Sequence, residues 1–154
     1  GLFSSRGFNI KSLTVGETED PTVSRMTIVV TGDDTIIEQV KKHLNKLIDT
    51  IKVIDLTEKP CIERELAFIK VSVKGKDRTE VTNLVDIFRA QIVDVGYKSM
   101  SIEITGKTDK VDTFIELMKP FGIIEVVRTG KVAVLREPIS QRSGLPKVEV
   151  KGKI

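Results

Sequence analysis

The sequence predicts an α+β protein assembled from one small unit used twice. Two heptapeptides carry that prediction. Met26-Thr-Ile-Val-Val-Thr-Gly32 and Met100-Ser-Ile-Glu-Ile-Thr-Gly106 stand 74 positions apart, and each is a strand pattern closed by Thr-Gly. Each leads into an amphipathic helix pattern and then a β-branched run. The repeated parts hold apolar faces and turns and almost no reactive groups. That points to a sensing or docking module rather than an enzyme.

Taken in order, Leu2 and Phe3 followed by Arg6 and Gly7 read as the last turn of a helix with a glycine cap. Asn9 to Val15 is strand-like. Residues 16–23 form a polar hairpin loop containing Pro21. Met26, Ile28 and Val30 alternate with Thr27 and Thr31, a second strand. A helix is expected from about Thr35 to Ile48. Thr35 and Glu38 have capping-box spacing, and Asp34 is an alternative cap. Its stripe is Ile36, Ile37, Val40, Leu44, Leu47 and Ile48. Ile51 to Ile54 reads as a short closing strand, and residues 57–64 as the connection between halves.

The second half is complete. Ala67, Ile69, Val71 and Val73 alternate with Phe68, Lys70 and Ser72. Asp77 and Glu80 begin a helix with the stripe Val81, Leu84, Val85 and Phe88. Ile92 to Val95 is a strand, and Met100, Ile102 and Ile104 mark the next. A helix from about Asp109 carries Val111, Phe114, Ile115 and Met118, and Pro120 stops it. Ile123 to Val127 is the last expected strand. The order β-α-β-β-α-β is that of the ferredoxin-like split βαβ. The first half shows this order without its opening strand and most of its first helix. The expected domains are 1–56, a connection at 57–64, a second unit at 65–131, and a basic tail at 132–154. Two helices cover one face of each sheet, so the other face, with Ile10, Leu13, Phe68 or Ile92 according to register, is expected to find a partner.

Composition narrows the function classes. Apolar residues make up 40% and charged residues 31%, the balance of a soluble globular chain. Aromatics are only 5%, with no Trp, so Ile, Val and Leu must build the cores. No apolar run approaches the roughly 18 residues that span a bilayer, and no secretory leader is visible. The single Cys61 excludes an internal disulfide and fits a reducing, cytoplasmic compartment. Gly1, not Met, stands first, so residues upstream are expected. The net charge of +3 sits at the end: residues 136–154 carry five Lys/Arg against Glu137 and Glu149. The basic pI therefore describes a tail, not a nucleic-acid-binding face. The paired strands Met-Thr-Ile-Val-Val and Met-Ser-Ile-Glu-Ile also lack the stacking aromatics of RNA-recognition sheets.

Catalytic and metal patterns are missing. His43, the only histidine, lies inside an amphipathic helix, a structural or surface position. Cys61 has no second histidine to work with, and no set of ligands has zinc spacing. There is no phosphate-cradling glycine motif. The segment Arg6-Gly-Phe-Asn-Ile-Lys-Ser-Leu-Thr-Val15 remains. Asn9 stands at the helix-to-strand junction, where Gly7 lets the chain reverse. Its carboxamide offers one acceptor and two donors, suited to the ammonium and carboxylate of a free amino acid. Phe8 and Ile10 supply apolar wall. The alternative is that Asn9 only tolerates an unusual backbone angle after Gly7.

That segment, with Asp20-Pro-Thr-Val-Ser-Arg-Met-Thr-Ile28 and Ile87-Phe-Arg-Ala-Gln-Ile-Val-Asp-Val95, resembles the regulatory (small) subunits of acetohydroxyacid synthase, also called acetolactate synthase. The resemblance covers Gly1 to about Leu135. It implies an ACT domain, a ferredoxin-like amino-acid sensor, in residues 1–56 and a second ACT-like domain in 65–131. It implies a homodimer through ACT domains, with valine or a related branched-chain amino acid bound at Asn9, Ile10, Gly7 and Phe8. The loop whose backbone amides cap the effector's carboxylate is implied upstream of Gly1. The implied function is non-catalytic: activation of a large catalytic subunit and feedback inhibition by valine in branched-chain amino-acid biosynthesis. Thiamine diphosphate, magnesium and FAD are implied in that partner and no cofactor, metal, membrane or nucleic acid in this chain. The rival is a free-standing ACT-type sensor acting on a different enzyme or a transcription regulator.

Overall fold

The computed structural model describes residues 9–47 and 49–138. The helical turn expected near Leu2 to Gly7 and most of the tail lie outside the described residues. The chain divides into two units, one up to Ile62 together with the segment from Val132 onward, the other Glu63–Lys131.

In the second unit, β3 (Cys61–Ser72), α2 (Asp77–Ile87), β4 (Gln91–Val95), β5 (Ser99–Gly106), α3 (Thr108–Met118) and β6 (Ile123–Arg128) follow the expected order. The sheet runs β4-β5-β3-β6, and its β3-β5, β3-β6 and β4-β5 ladders are antiparallel. The alternation in β3 has the consequence expected of a strand with one covered face. Ala67, Ile69, Val71 and Val73 are buried, while Phe68 stays exposed. Val81 and Val85 of α2 and Val111, Phe114 and Met118 of α3 close the same core. Phe114 meets Phe88 edge to face, with ring centroids 5.3 Å apart. Ile92 pairs with buried Ile102 and packs on this core, so of the residues proposed for the outer face only Phe68 in this unit points away from the helices.

Two termini differ in detail from expectation. Pro120 does stop α3, but through a 3-10 turn at Lys119–Phe121 that ends on Gly122, whose φ of 99° suits only glycine. The end of α2 is a Schellman motif. Ala90 donates to the Val85 carbonyl at 2.9 Å and Arg89 to that of Asp86 at 3.1 Å. The left-handed position is held by Arg89, with φ 54°, where glycine is the usual residue.

A charged group also sits on the inward row of β3. Glu65 is buried, and its carboxylate is fully engaged. It accepts from the Thr108 hydroxyl at 2.8 Å and from Arg128 Nε at 2.7 Å. Arg128 Nη1 reaches Asp112 at 2.8 Å. The arginine is held even more firmly protonated than usual, chiefly by its bond to Glu65. The network ties β3, α3 and β6 together. The sequence signalled it: a glutamate occupies a place in the alternation that apolar side chains otherwise hold.

The first unit is smaller. β1 (Asn9–Glu17) and β2 (Ser24–Thr31) form an antiparallel hairpin, followed by α1 (Asp34–Lys46). The expected polar loop is present. Thr18 and Val23 bond across it, and Asp20 accepts from Thr22 N at 3.0 Å and Oγ1 at 2.7 Å. The cap of α1 is Asp33, not Thr35 or Asp34: its carboxylate accepts from Ile36 N at 3.0 Å. Val40 and Leu44 pack with Ile28, Val30, Ile36 and Val53. Leu13 pairs with Ile28, so it lies on the face α1 covers, not on the outer one, yet it stays half-exposed. α1 reaches only the β2 side, and no helix precedes β1 among the described residues to cover the rest.

The strand expected at Ile51 to Ile54 does not form; residues 51–56 have no regular structure. The reason is visible in the second unit. There the closing strand β6 pairs with the opening strand β3. Among the described residues of the first unit no strand precedes β1, so the 51–54 run has no ladder to join. The structure adds two things the sequence reading lacked. β3 starts at Cys61, inside the expected connection, and β7 (Val132–Leu135) pairs with β3. Around it Arg25 Nη2 donates to the Ala133 carbonyl at 2.8 Å and Arg136 N to that of Pro60 at 2.9 Å.

The repeated glycines occupy equivalent corners, between strand and helix. A Cβ on Gly32 would stand 2.7 Å from Ile36 Cγ2 and 2.8 Å from Ile36 Cβ. A Cβ on Gly106 would meet only Lys110, at 2.6 Å from Cδ. Gly32→Ala is expected to lose about 1–3 kcal/mol in denaturant unfolding, because a branched Cβ cannot swing aside. Gly106→Ala should stay within about 0.5 kcal/mol, because the lysine stem can. Arg89→Gly should raise stability by about 1 kcal/mol by removing the left-handed strain. Arg128→Ala should cost about 2 kcal/mol, because it leaves a buried carboxylate under-paired. Asp112→Asn should cost under about 0.5 kcal/mol, since that carboxylate is exposed. The same unfolding series checks all five.

Candidate functional site

Of the four effector residues expected from the sequence, Gly7 and Phe8 lie outside the described residues. Asn9 and Ile10 open β1. Asn9 pairs with Thr31, whose hydroxyl donates to the Asn9 carbonyl at 3.4 Å, and Ile10 pairs with Val30. Asn9 is exposed and Ile10 half-buried. A bulge follows: Ile10 and Ser12 oppose the adjacent residues Val30 and Val29, so Lys11 is the extra residue. Directly opposite residues share a face, so Ile10, Leu13 and Val15 join Val30, Ile28 and Met26 on the α1 side. Asn9 turns to the other face, with Ser12 and Thr14.

Thr31 is followed by Gly32 and the Asp33 cap, so Asn9 stands across the ladder from the chain that starts α1. That helix start is not a ready anion receptor. Its Ile36 amide is taken by the Asp33 carboxylate, and Asp34 adds a second negative charge in the first turn. A ligand carboxylate would need other donors. The carboxamide of Asn9 therefore offers orientation rather than charge.

The remaining sequence candidates do not converge. His43 is half-buried in the last turn of α1, and Cys61 begins β3. Among the described residues no three His, Cys, Asp or Glu side chains group as metal ligands. Among the described helices none is long and apolar enough to cross a membrane.

The first unit also holds a cavity of roughly 450 Å³ that sequence reasoning missed. It is lined by Lys41 of α1, residues 52–55, Glu58, Lys59 and Leu135 of β7. Asn9 is not among its walls. Asp55 accepts from Thr57 N at 3.0 Å and Oγ1 at 2.6 Å. These bonds hold its carboxyl below the usual range. Lys41 Nζ lies 2.9 Å from Glu38 and 3.8 Å from Asp55, and the Glu38 bond above all raises its pKa. The signal available in the sequence was three lysines, Lys41, Lys52 and Lys59, around one short apolar run.

Comparison with known proteins covers both units. The family described as the small subunit of acetolactate synthase matches residues 64–137, and the acetolactate-synthase-type ACT domain, "AHAS small subunit-like", matches residues 1–52. A probable acetolactate synthase small subunit of Archaeoglobus fulgidus is 58% identical over 136 residues, covering 88% of this chain and 85% of that protein. An acetolactate synthase small subunit of Aquifex aeolicus is 54% identical, covering 88% of this chain and 71% of that protein. The crystal structure of the acetolactate synthase small subunit from Thermotoga maritima superposes with a TM-score of 0.81 at 46% identity, covering 90% of this chain and 86% of that one. Two tandem α+β units of ferredoxin-like type, matched along their length at this identity, place the chain in the acetolactate synthase small-subunit family.

Proposed function

We propose that this chain is the regulatory subunit of an acetolactate synthase. It binds the large catalytic subunit, raises its activity, and makes it sensitive to valine or a related branched-chain amino acid. The observation that carries this reading is the family match, which extends over both units. The reacting cofactors, thiamine diphosphate with magnesium and FAD, belong on this reading to the catalytic partner. The complex acts in the cytoplasm, and the chain pairs with a second copy through its first unit.

The site follows from the start of β1. Asn9 turns its carboxamide to the face opposite α1, where it orients the effector's ammonium and carboxylate. Gly7 and Phe8 are proposed as further effector contacts, while Ile10 faces the α1 side of the hairpin. Valine regulates only if it binds one arrangement of the complex better than the other. A coupling of about 1–3 kcal/mol corresponds to roughly 5–150-fold in affinity. An apolar pocket separates ligands differing by one methylene by only about 1–3 kcal/mol, so leucine and isoleucine act more weakly on the same site.

Asn9→Ala, assayed in the reconstituted complex, is expected to raise the valine concentration for half-inhibition by at least about fivefold. Activation of the catalytic subunit should be unchanged. Equal valine inhibition of mutant and wild type would refute the assignment.

A further inference from the structure

In the sheet of the second unit, regular and irregular pairing are sorted by position. The central pair, β3 and β5, runs through eight consecutive partners without a break, from Glu65 opposite Gly106 to Ser72 opposite Ser99. Both outer strands are interrupted. In β4, Ile92 and Asp94 oppose the adjacent residues Ile102 and Ser101, so Val93 is an extra residue. In β6, Glu125 and Ile123 oppose the adjacent residues Lys70 and Val71, so Ile124 is an extra residue.

These two are the strands with an open side. In the order β4-β5-β3-β6 each has one neighbour among the described residues. An open strand edge offers unpaired N–H and C=O groups to any other chain, and proteins blunt it with lysine, proline, a covering element or a bulge. Neither Gln91–Val95 nor Ile123–Arg128 contains lysine or proline. Their charges are Asp94, Glu125 and Arg128, and the arginine is engaged by Glu65 and Asp112. The side chains they expose are β-branched and apolar: Val93 at 49%, Val95 at 61%, Ile124 at 56% and Val127 at 52%. Edges of this composition, if straight, suit a further strand. An extra residue bends the strand, raises its twist and takes its outward groups out of line. In β4 it leaves Gln91-Ile92 on one side and Asp94-Val95 on the other, short of the roughly three residues of the shortest common strands. In β6 it cuts Ile123 from the rest of the strand.

We propose that the bulges at Val93 and Ile124 are guards: they stop the outer strands of this sheet from pairing with a strand of another copy of the chain. The guard stands apart from the regulatory reading, since it concerns the open sides of the second unit and not the effector or the catalytic partner.

The test removes Val93 and Ile124 together from the full chain and follows mass by sedimentation equilibrium over a concentration series. Ile92 and Asp94 keep their partners in β5, so the unit should stay folded, which amide spectra at low concentration check. The shortened chain is expected to gain mass with concentration, reaching at least about twice the mass of the unaltered chain at equal concentration, as open edges join copies. Pairing through the first unit is common to both chains and drops out of the comparison. Val95→Lys with Val127→Lys, added to the shortened chain, should return its mass to that of the unaltered one, because lysine on an edge strand opposes pairing. Equal masses at every concentration, or growth that the two lysines leave untouched, would overturn the proposal. If the double removal unfolds the unit, removal of Val93 alone is read by the same two criteria. Unfolding there as well would overturn it too, since the bulge would then serve the fold and not its edge.

Discussion

The hydrogen-bond ladder of β3 is shared on both edges, with β5 on one side and β6 on the other, and β7 joins it as well. Each ladder fixes a register, and a slip of one residue would turn the row Ala67, Ile69, Val71 and Val73 away from the helices. That row lies beneath Phe114, Val81 and Met118, so the core depends on it. Glu65 belongs to the same row, and its partners Thr108 and Arg128 come from the helix and strand that must close last in sequence. A closing strand that pairs with an opening one makes the unit complete only when both ends of its sequence are present.

The first unit shows the same rule from the other side. β1, β2 and α1 repeat the arrangement of β4, β5 and α3, down to the Thr-Gly corner. Without a described partner for its closing run, residues 51–56 remain irregular and line a cavity. Leu13 and Val15 stay half-exposed for a related reason, since among the described residues only α1 covers their face. Among the described residues the two units are thus closed to different extents.

Period-two and helical patterns made most of the second unit legible, because each strand and helix there has a partner on every side that matters. The misses have separate causes. Ile51 to Ile54 has the composition of a strand, but strand formation is decided by a neighbour, not by propensity. Ile92 was assigned no face because its register with Ile102 is a tertiary fact. Asp33 rather than Thr35 is the cap because α1 already begins at Asp34, and the Asp33 carboxylate reaches the Ile36 amide. β7 is only four residues long and hides in an apolar run without a turn signal of its own. The proposed effector residues rest on a different signal: the string around Asn9 marks a family, while a lone carboxamide at a strand start carries little chemical information.

The bulge at Lys11 decides what the start of β1 displays. In an unbroken strand read back from Leu13, Ile10 and Asn9 would exchange sides, and an amide would sit against the helix while isoleucine faced outward. The extra residue absorbs that inversion. Lys11 is thus the one position in β1 whose deletion would leave every cross-strand pairing as it is.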